Sequence, residues 1–250
     1  MTDSAYGGYL CPLNTGLLVY IIIVFNHTAA VVHFNPAVTA AFYVAKKISL
    51  SDVFYYFGAQ LVGGLLGSGV AYLCYFMNAQ ITAEGQVVGF LNNAVDLAAH
   101  GNSSYQAIVS LYALDVKLPT ADNPFAPNST IILLSETITT GLLCLLATIA
   151  VYNPKTWKDG TGAFCIGLSV FVGITAGAKV GAGCLNPIRS DMPWGFFNWE
   201  KLMQNWTFNV GPMLGGIVAG LVYNVMYDED LCEAVEKKDA TDEELQELKK

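Results

Sequence analysis

Five runs of largely apolar residues, at 13–32, 53–77, 130–152, 160–178 and 207–227, are each long enough to cross the hydrocarbon of a bilayer, which takes about 20 residues of helix. No water is present in that layer to bond a free N–H or C=O, so each run is predicted to be a helix and the chain an all-α membrane protein. Composition agrees, because 54% of the residues are hydrophobic and only 13% are charged, outside the balance of an ordinary soluble domain. The net charge is −8, with acid concentrated between Asp228 and Lys250, and this excludes a nucleic-acid binder, which needs a basic face. Cys11, Cys74, Cys144, Cys165, Cys184 and Cys232 include no C-x-x-C pair and share no ligand spacing with a histidine, so neither a metal centre nor a cofactor is expected. Met1 to Pro12 has no basic stretch ahead of an apolar one, so no cleavable leader is expected and the first span would serve as its own insertion signal.

The short connections after the first and third runs carry Lys46, Lys47, Lys155 and Lys158, whereas the long one holds Lys117 against Glu84, Asp96, Asp115 and Asp122. The excess of lysine places the short connections and the carboxyl tail on the cytoplasmic side. The expected organisation is a membrane domain at 1–227, with a first repeat at about 1–77, an extracellular or luminal loop at 78–129 and a second repeat at 130–227. Residues 228–250 form an acidic cytoplasmic tail, in which Thr241 and Glu244 are spaced as a capping box. On the outer loop, Asn102-Ser-Ser and Asn128-Ser-Thr are candidate glycosylation sites.

Two further apolar stretches are too short to cross, and each opens with Asn-Pro: Asn35-Pro36-Ala37-Val38-Thr39 and Asn186-Pro187-Ile188-Arg189-Ser190. Asparagine is a good N-cap, and proline at the first helical position loses no hydrogen bond. Each stretch therefore reads as a half-helix. The approach to the second, Gly177 to Cys184, is rich enough in glycine to run extended at membrane depth, which is tolerated only where protein buries the backbone or a watery cavity borders it. The halves also match after the half-helices, Ala59-Gln60-Leu61-Val62-Gly63-Gly64 against Val210-Gly211-Pro212-Met213-Leu214-Gly215-Gly216. Glycine rows at Gly63, Gly64, Gly67 and Gly69, and at Gly211, Gly215, Gly216 and Gly220, suit close helix contact. One Asn-Pro enters from the cytoplasm and the other from outside, so the repeats are inverted and a site is expected near the midplane.

In His33-Phe34-Asn35-Pro36-Ala37-Val38-Thr39, Ala59-Gln60, Glu136 and Val210-Gly211-Pro212, the chain resembles the aquaporin, or major intrinsic protein, family over nearly its whole length. The resemblance implies a homotetrameric channel, in the plasma membrane or an intracellular or vacuolar one, passing water with small uncharged solutes such as glycerol, urea, ammonia or hydrogen peroxide. It implies that half-helix dipoles exclude protons and cations, and that the Asn35 and Asn186 amides turn each passing water so that it relays no proton. It places a constriction at Thr15, Ile174, Gly183 and Arg189, less polar than a strict water filter, with Ser190 where glycerol channels have aspartate. Loop bracing falls to Glu136, His33 and Gln60. Two departures stand out. Ile188 replaces the alanine of the second motif, which implies altered packing, and the family's first helix, with its own glutamate, has no counterpart among the five runs.

The residues themselves bear on these roles. Arg189 is the only arginine, and a charge inside a membrane costs at least about 2.5–3.5 kcal/mol, so such a residue is usually functional. Glu136 is the one carboxylate well inside a run and has no evident partner for a proton relay. His27 and His33 face no residues that would complete a metal site. Two other classes compete with the channel: a secondary transporter, which also uses inverted repeats and broken helices, and a non-conducting relative. An enzyme is not expected, since no nucleophile–base pair is evident.

Overall fold

The computed structural model describes residues 7–26, 31–78, 80–81, 86–88, 94–96, 109, 127–152, 160–178, 180, 183–193 and 198–227. The long helices are α1 (Gly7–Asn26), α3 (Leu50–Asn78), α4 (Ser129–Tyr152), α5 (Thr161–Ala178) and α8 (Thr207–Met226). The half-helices are α2 (Pro36–Val44) and α6 (Pro187–Asp191), and a short α7 (Trp199–Gln204) precedes α8. Four of the five predicted runs coincide with helices to within a few residues.

The first run is corrected. Helix α1 starts earlier than the sequence suggests and carries Pro12 inside it, because neighbouring helices let a membrane helix tolerate proline that a soluble one would not. At the other end Val31 and Val32 are not helical. They belong to the extended approach to Asn35. The connection between α3 and α4 also contains a three-stranded antiparallel sheet, β1 (Gln80–Ile81), β2 (Gln86–Val88) and β3 (Ala94–Asp96). In it Gln80 pairs with Val88, and Val87 with Val95. No alternating pattern long enough to reveal these strands exists in the sequence. Asn102, His27 and the acidic tail lie outside the described residues.

Helix α4 packs against α8 and α5, α5 against α1, and α2 lies in the lap of α8. Their shared core includes Ile23, Val38, Phe42, Leu143, Ile166 and Ile174. Small residues set the spacing. A Cβ on Gly215 would stand 2.5 Å from the Thr137 carbonyl oxygen and 2.7 Å from the Gly141 nitrogen. A Cβ on Gly16 would stand 2.5 Å from the Gly167 carbonyl oxygen, and one on Gly167 2.6 Å from that of Gly16. In lipid there is no hydrophobic drive between helices, so such backbone approach supplies much of the adhesion.

The two glycine rows are used unequally. In α8, Gly216 abuts the Ala37 backbone of α2 and Gly211 the Glu136 side chain of α4. In α3 only Gly64 is engaged, by Ile188 and Met192, and a Cβ added at Gly63, Gly67 or Gly69 meets nothing within 4 Å. The apolar stretch of α3 has 0% of its residues buried, against 44% for α8. Gly215→Val is therefore expected to lower the melting temperature of the detergent-solubilised protein sharply, at a cost of about 1–3 kcal/mol or more for overpacking, while Gly67→Val leaves it unchanged. Equal shifts for the two would contradict the assigned packing.

Candidate pore

The chain reaches each half-helix through a residue in the left-handed region, Phe34 at φ 50° and Leu185 at φ 60°. Such a conformation is strained for a non-glycine residue and persists only where its surroundings hold it. The next residue in each case is an asparagine with nearly the same backbone, φ −153° and ψ 120° at Asn35, φ −152° and ψ 113° at Asn186. The Asn35 Oδ1 accepts from the Ala37 N–H at 2.9 Å, and the Asn186 Oδ1 from the Ile188 N–H at 3.1 Å. Both are N-caps.

The amide nitrogens reach across the molecule. Asn35 Nδ2 donates to the Leu185 carbonyl at 2.7 Å, and Asn186 Nδ2 donates to the Phe34 carbonyl at 2.8 Å. The carbonyl of each strained residue is thus held by the asparagine of the other half. A carboxamide carries two N–H groups, so each asparagine keeps a second hydrogen. Both residues line a cavity of about 110 Å³.

The same cavity is bordered by Thr15, Ile174 and Arg189. Arg189 Nη1 donates to the Gly183 carbonyl at 2.9 Å and to that of Cys184 at 3.3 Å. Gly183 stands behind the wall with φ +60°, where a Cβ would lie 2.7 Å from the Ile174 carbonyl oxygen. It contributes its carbonyl to hold the guanidinium. The Thr15 hydroxyl donates to the Cys11 carbonyl at 2.9 Å, so toward the cavity it presents only an acceptor. Elsewhere the wall is apolar, with Val19, Ile23, Leu143 and Val170.

Each loop has its own brace. Glu136 is fully buried in α4, and its carboxylate accepts from the Cys184 N–H at 2.8 Å and the Leu185 N–H at 2.9 Å. Around the first loop Thr39 is the hub: its hydroxyl donates to the Asn35 carbonyl at 3.2 Å and accepts from Gln60 Nε2 at 3.0 Å. His33 Nδ1 lies 3.0 Å from the same oxygen, and since that hydroxyl already donates, the ring nitrogen is the donor. The His33 ring stacks on Tyr56 with centroids 3.8 Å apart. The Tyr56 hydroxyl donates to the Val31 carbonyl at 2.6 Å.

Of the residues singled out in the sequence, Asn35, Asn186, Thr15, Ile174, Arg189 and His33 meet on the cavity. Pro36, Ala37, Pro187 and Ile188 stand behind it in the half-helices, and Ile188 directs its Cγ2 at Gly64 of α3. Gln60 and Glu136 act through the loops. Thr39, Tyr56 and the two strained carbonyls went unread, although Thr39 lies one helical turn after Asn35 and so shares its face.

The sequence pattern of the family described as Major intrinsic protein matches residues 9–223. The chain belongs to the major intrinsic protein family. That family consists of membrane channels rather than enzymes, and the chain is an integral membrane protein. It is 30% identical to human aquaporin-5 over 191 residues, covering 76% of this chain and 58% of that one. With aquaporin A of Dictyostelium discoideum it shares 26% over 234 residues, covering 91% and 69%. The chain therefore spans less than two thirds of the length of human aquaporin-5. The solved aquaglyceroporin of Plasmodium falciparum shares the fold, with a TM-score of 0.62, 21% identity and coverage of 94% of this chain and 86% of that one.

The brace on the second loop of this major intrinsic protein gives a direct expectation. Glu136→Gln keeps one oxygen and turns an amide NH₂ toward the other backbone N–H, leaving a buried donor unmatched. The cost is about 1–3 kcal/mol, read as a fall in melting temperature in detergent. A melting temperature equal to wild type would show that the two N–H groups do not depend on the carboxylate.

Proposed function

We propose that this member of the family is a passive channel for water and small uncharged solutes that excludes protons and ions. One observation carries the reading: two asparagine amides, each fixed by its bond to the opposite half, border one cavity at the amino ends of two half-helices. Their remaining N–H groups would donate to the oxygen of a passing water. A water that accepts from both has its hydrogens turned away from the line of travel, so protons cannot hop along the file. Helix amino ends carry about half a positive charge, and with Arg189 they repel cations.

The wider end of the filter is set by what Ile174 and Thr15 offer. Ile174 supplies no hydrogen bond, and Thr15 supplies an acceptor alone, so the ring around Arg189 asks little of a solute beyond small size and neutrality. Glycerol, urea, ammonia and hydrogen peroxide fit that description. The roles of Thr15, Ile174, Gly183 and Arg189 as the filter, and of Glu136, His33 and Gln60 as braces, belong to this proposal. So do a homotetrameric assembly, a cytoplasmic tail, a plasma or vacuolar membrane, and glycosylation at Asn102 and Asn128. Asn128 is exposed and caps α4 by accepting from the Ile131 N–H at 3.0 Å through Oδ1, which leaves its amide nitrogen for a sugar.

Purified protein in liposomes is expected to speed osmotic shrinkage severalfold over empty vesicles and to pass ammonia, urea, glycerol or peroxide down their gradients. No acceleration with correctly folded protein would refute the channel. Arg189→Val is expected to leave water flow largely intact while raising proton or cation leak, measured with a pH-sensitive dye inside the vesicle. Unchanged leak would remove Arg189 from the filter.

A further inference from the structure

We infer that the turn joining α2 to α3 is a strap beside the cavity, and that Lys47 fastens it so as to hold the wall residue Phe42 out of the lumen. This rests on the channel reading for its effect on flux, though not for the fastening itself. Beyond Val44 the chain turns through Lys46 at φ 58°, with the Lys46 N–H bonded to the Tyr43 carbonyl and the Lys47 N–H to that of Phe42, both at 2.9 Å. The Lys47 ammonium then stands 5.5 Å from the ring centroid of Tyr152, at the end of α4, and 5.5 Å from that of Tyr223 in α8. Two hydrogen bonds tie the same turn to the same helices. The Tyr152 hydroxyl donates to the Lys47 carbonyl at 3.4 Å, and Asn224 Nδ2 to the Val44 carbonyl at 2.8 Å.

The fastening reaches the lumen in one step. Tyr152 meets the ring of Phe42 edge-on, with centroids 5.3 Å apart, and His33 meets it edge-on from another side at 4.6 Å. Phe42 is 1% exposed and borders the cavity, as does Val151 beside Tyr152. Phe42 is otherwise buried, so the cavity it borders is the space into which its ring, released by Tyr152, would move. One ammonium shared by two aromatic faces makes the strap depend on charge as well as on size.

The test uses Lys47→Met, which keeps the chain length and removes the charge, with Lys47→Arg as the conservative control. Hydrogen exchange on the purified full chain reads the fastening whether or not the protein conducts. Exchange across residues 42–49 is expected to rise in Lys47→Met and to stay at the wild-type level in Lys47→Arg. In liposomes, water permeability per folded protein is expected to fall about twofold to fivefold in Lys47→Met, the scale of one cation–π contact, and to return in Lys47→Arg. In a Phe42→Leu background the Lys47→Met loss should vanish, since the ring that moves is gone. Unchanged exchange in Lys47→Met overturns the strap outright, and a permeability loss that persists undiminished beside Phe42→Leu overturns the route through Phe42. Wild-type vesicles that fail to conduct, with exchange behaving as expected, would defeat the channel reading and leave the strap standing.

Discussion

Two side-chain amides, those of Asn35 and Asn186, each bonded to a carbonyl on the opposite half of the chain, are the contacts on which the centre of this protein depends. Each bond has three consequences. It holds the carbonyl of a residue kept in a strained left-handed conformation, it orients the amide that caps a half-helix, and it leaves a second N–H on an amide that borders the cavity. Water alone could not replace it, because a free water has no fixed direction, whereas the amide is set by its own helix through Oδ1. Inverted repeats in membrane proteins meet near the midplane, and here the meeting is made by side chain to backbone rather than by side chains alone.

The two halves use different means to hold equivalent loops. On the second loop a single buried carboxylate, Glu136, takes two consecutive backbone N–H groups. On the first loop neutral groups do the holding, with Thr39, Gln60, His33 and Tyr56 joined by hydrogen bonds and ring stacking. The helices differ as well. Helix α8 is wedged between α4 and α2, whereas α3 meets the half-helices through Gln60 on Thr39 and through Gly64 alone of its small-residue row. Ile188 fits this difference: its larger side chain fills space against Gly64 of α3, while Ala37 in the matching position is pressed on the backbone at Gly216 of α8.

The spans were legible because hydrocarbon thickness fixes their length, and the half-helices because Asn-Pro states where a helix must begin. The start of α1 was not, since Pro12 reads as a boundary by soluble-protein rules and is carried inside a membrane helix. The short sheet between α3 and α4 was missed because two or three residues per strand leave no period to see. Their motifs singled out Asn35, Asn186 and Arg189, which border one cavity. What they bond to was not legible: a carbonyl is present at every residue, so no sequence signal picks out those of Phe34, Leu185 and Gly183. The strap residue Lys47 read only as a marker of the cytoplasmic side, because its aromatic partners lie on α4 and α8, far away in the chain.

In the proposed channel, charge and shape would divide the selectivity between them. Positive charge at the half-helix ends and at Arg189 would act on ions and Ile174 with the apolar wall on size, and both would depend on a continuous watery path past the two asparagines. The temperature dependence of water flux through protein-containing liposomes tests that path most directly. The expected result is an activation energy close to that of water diffusing in bulk and well below that of the same vesicles without protein. Flux as steep in temperature as through bare lipid, from protein shown to be folded, would mean that no such path exists.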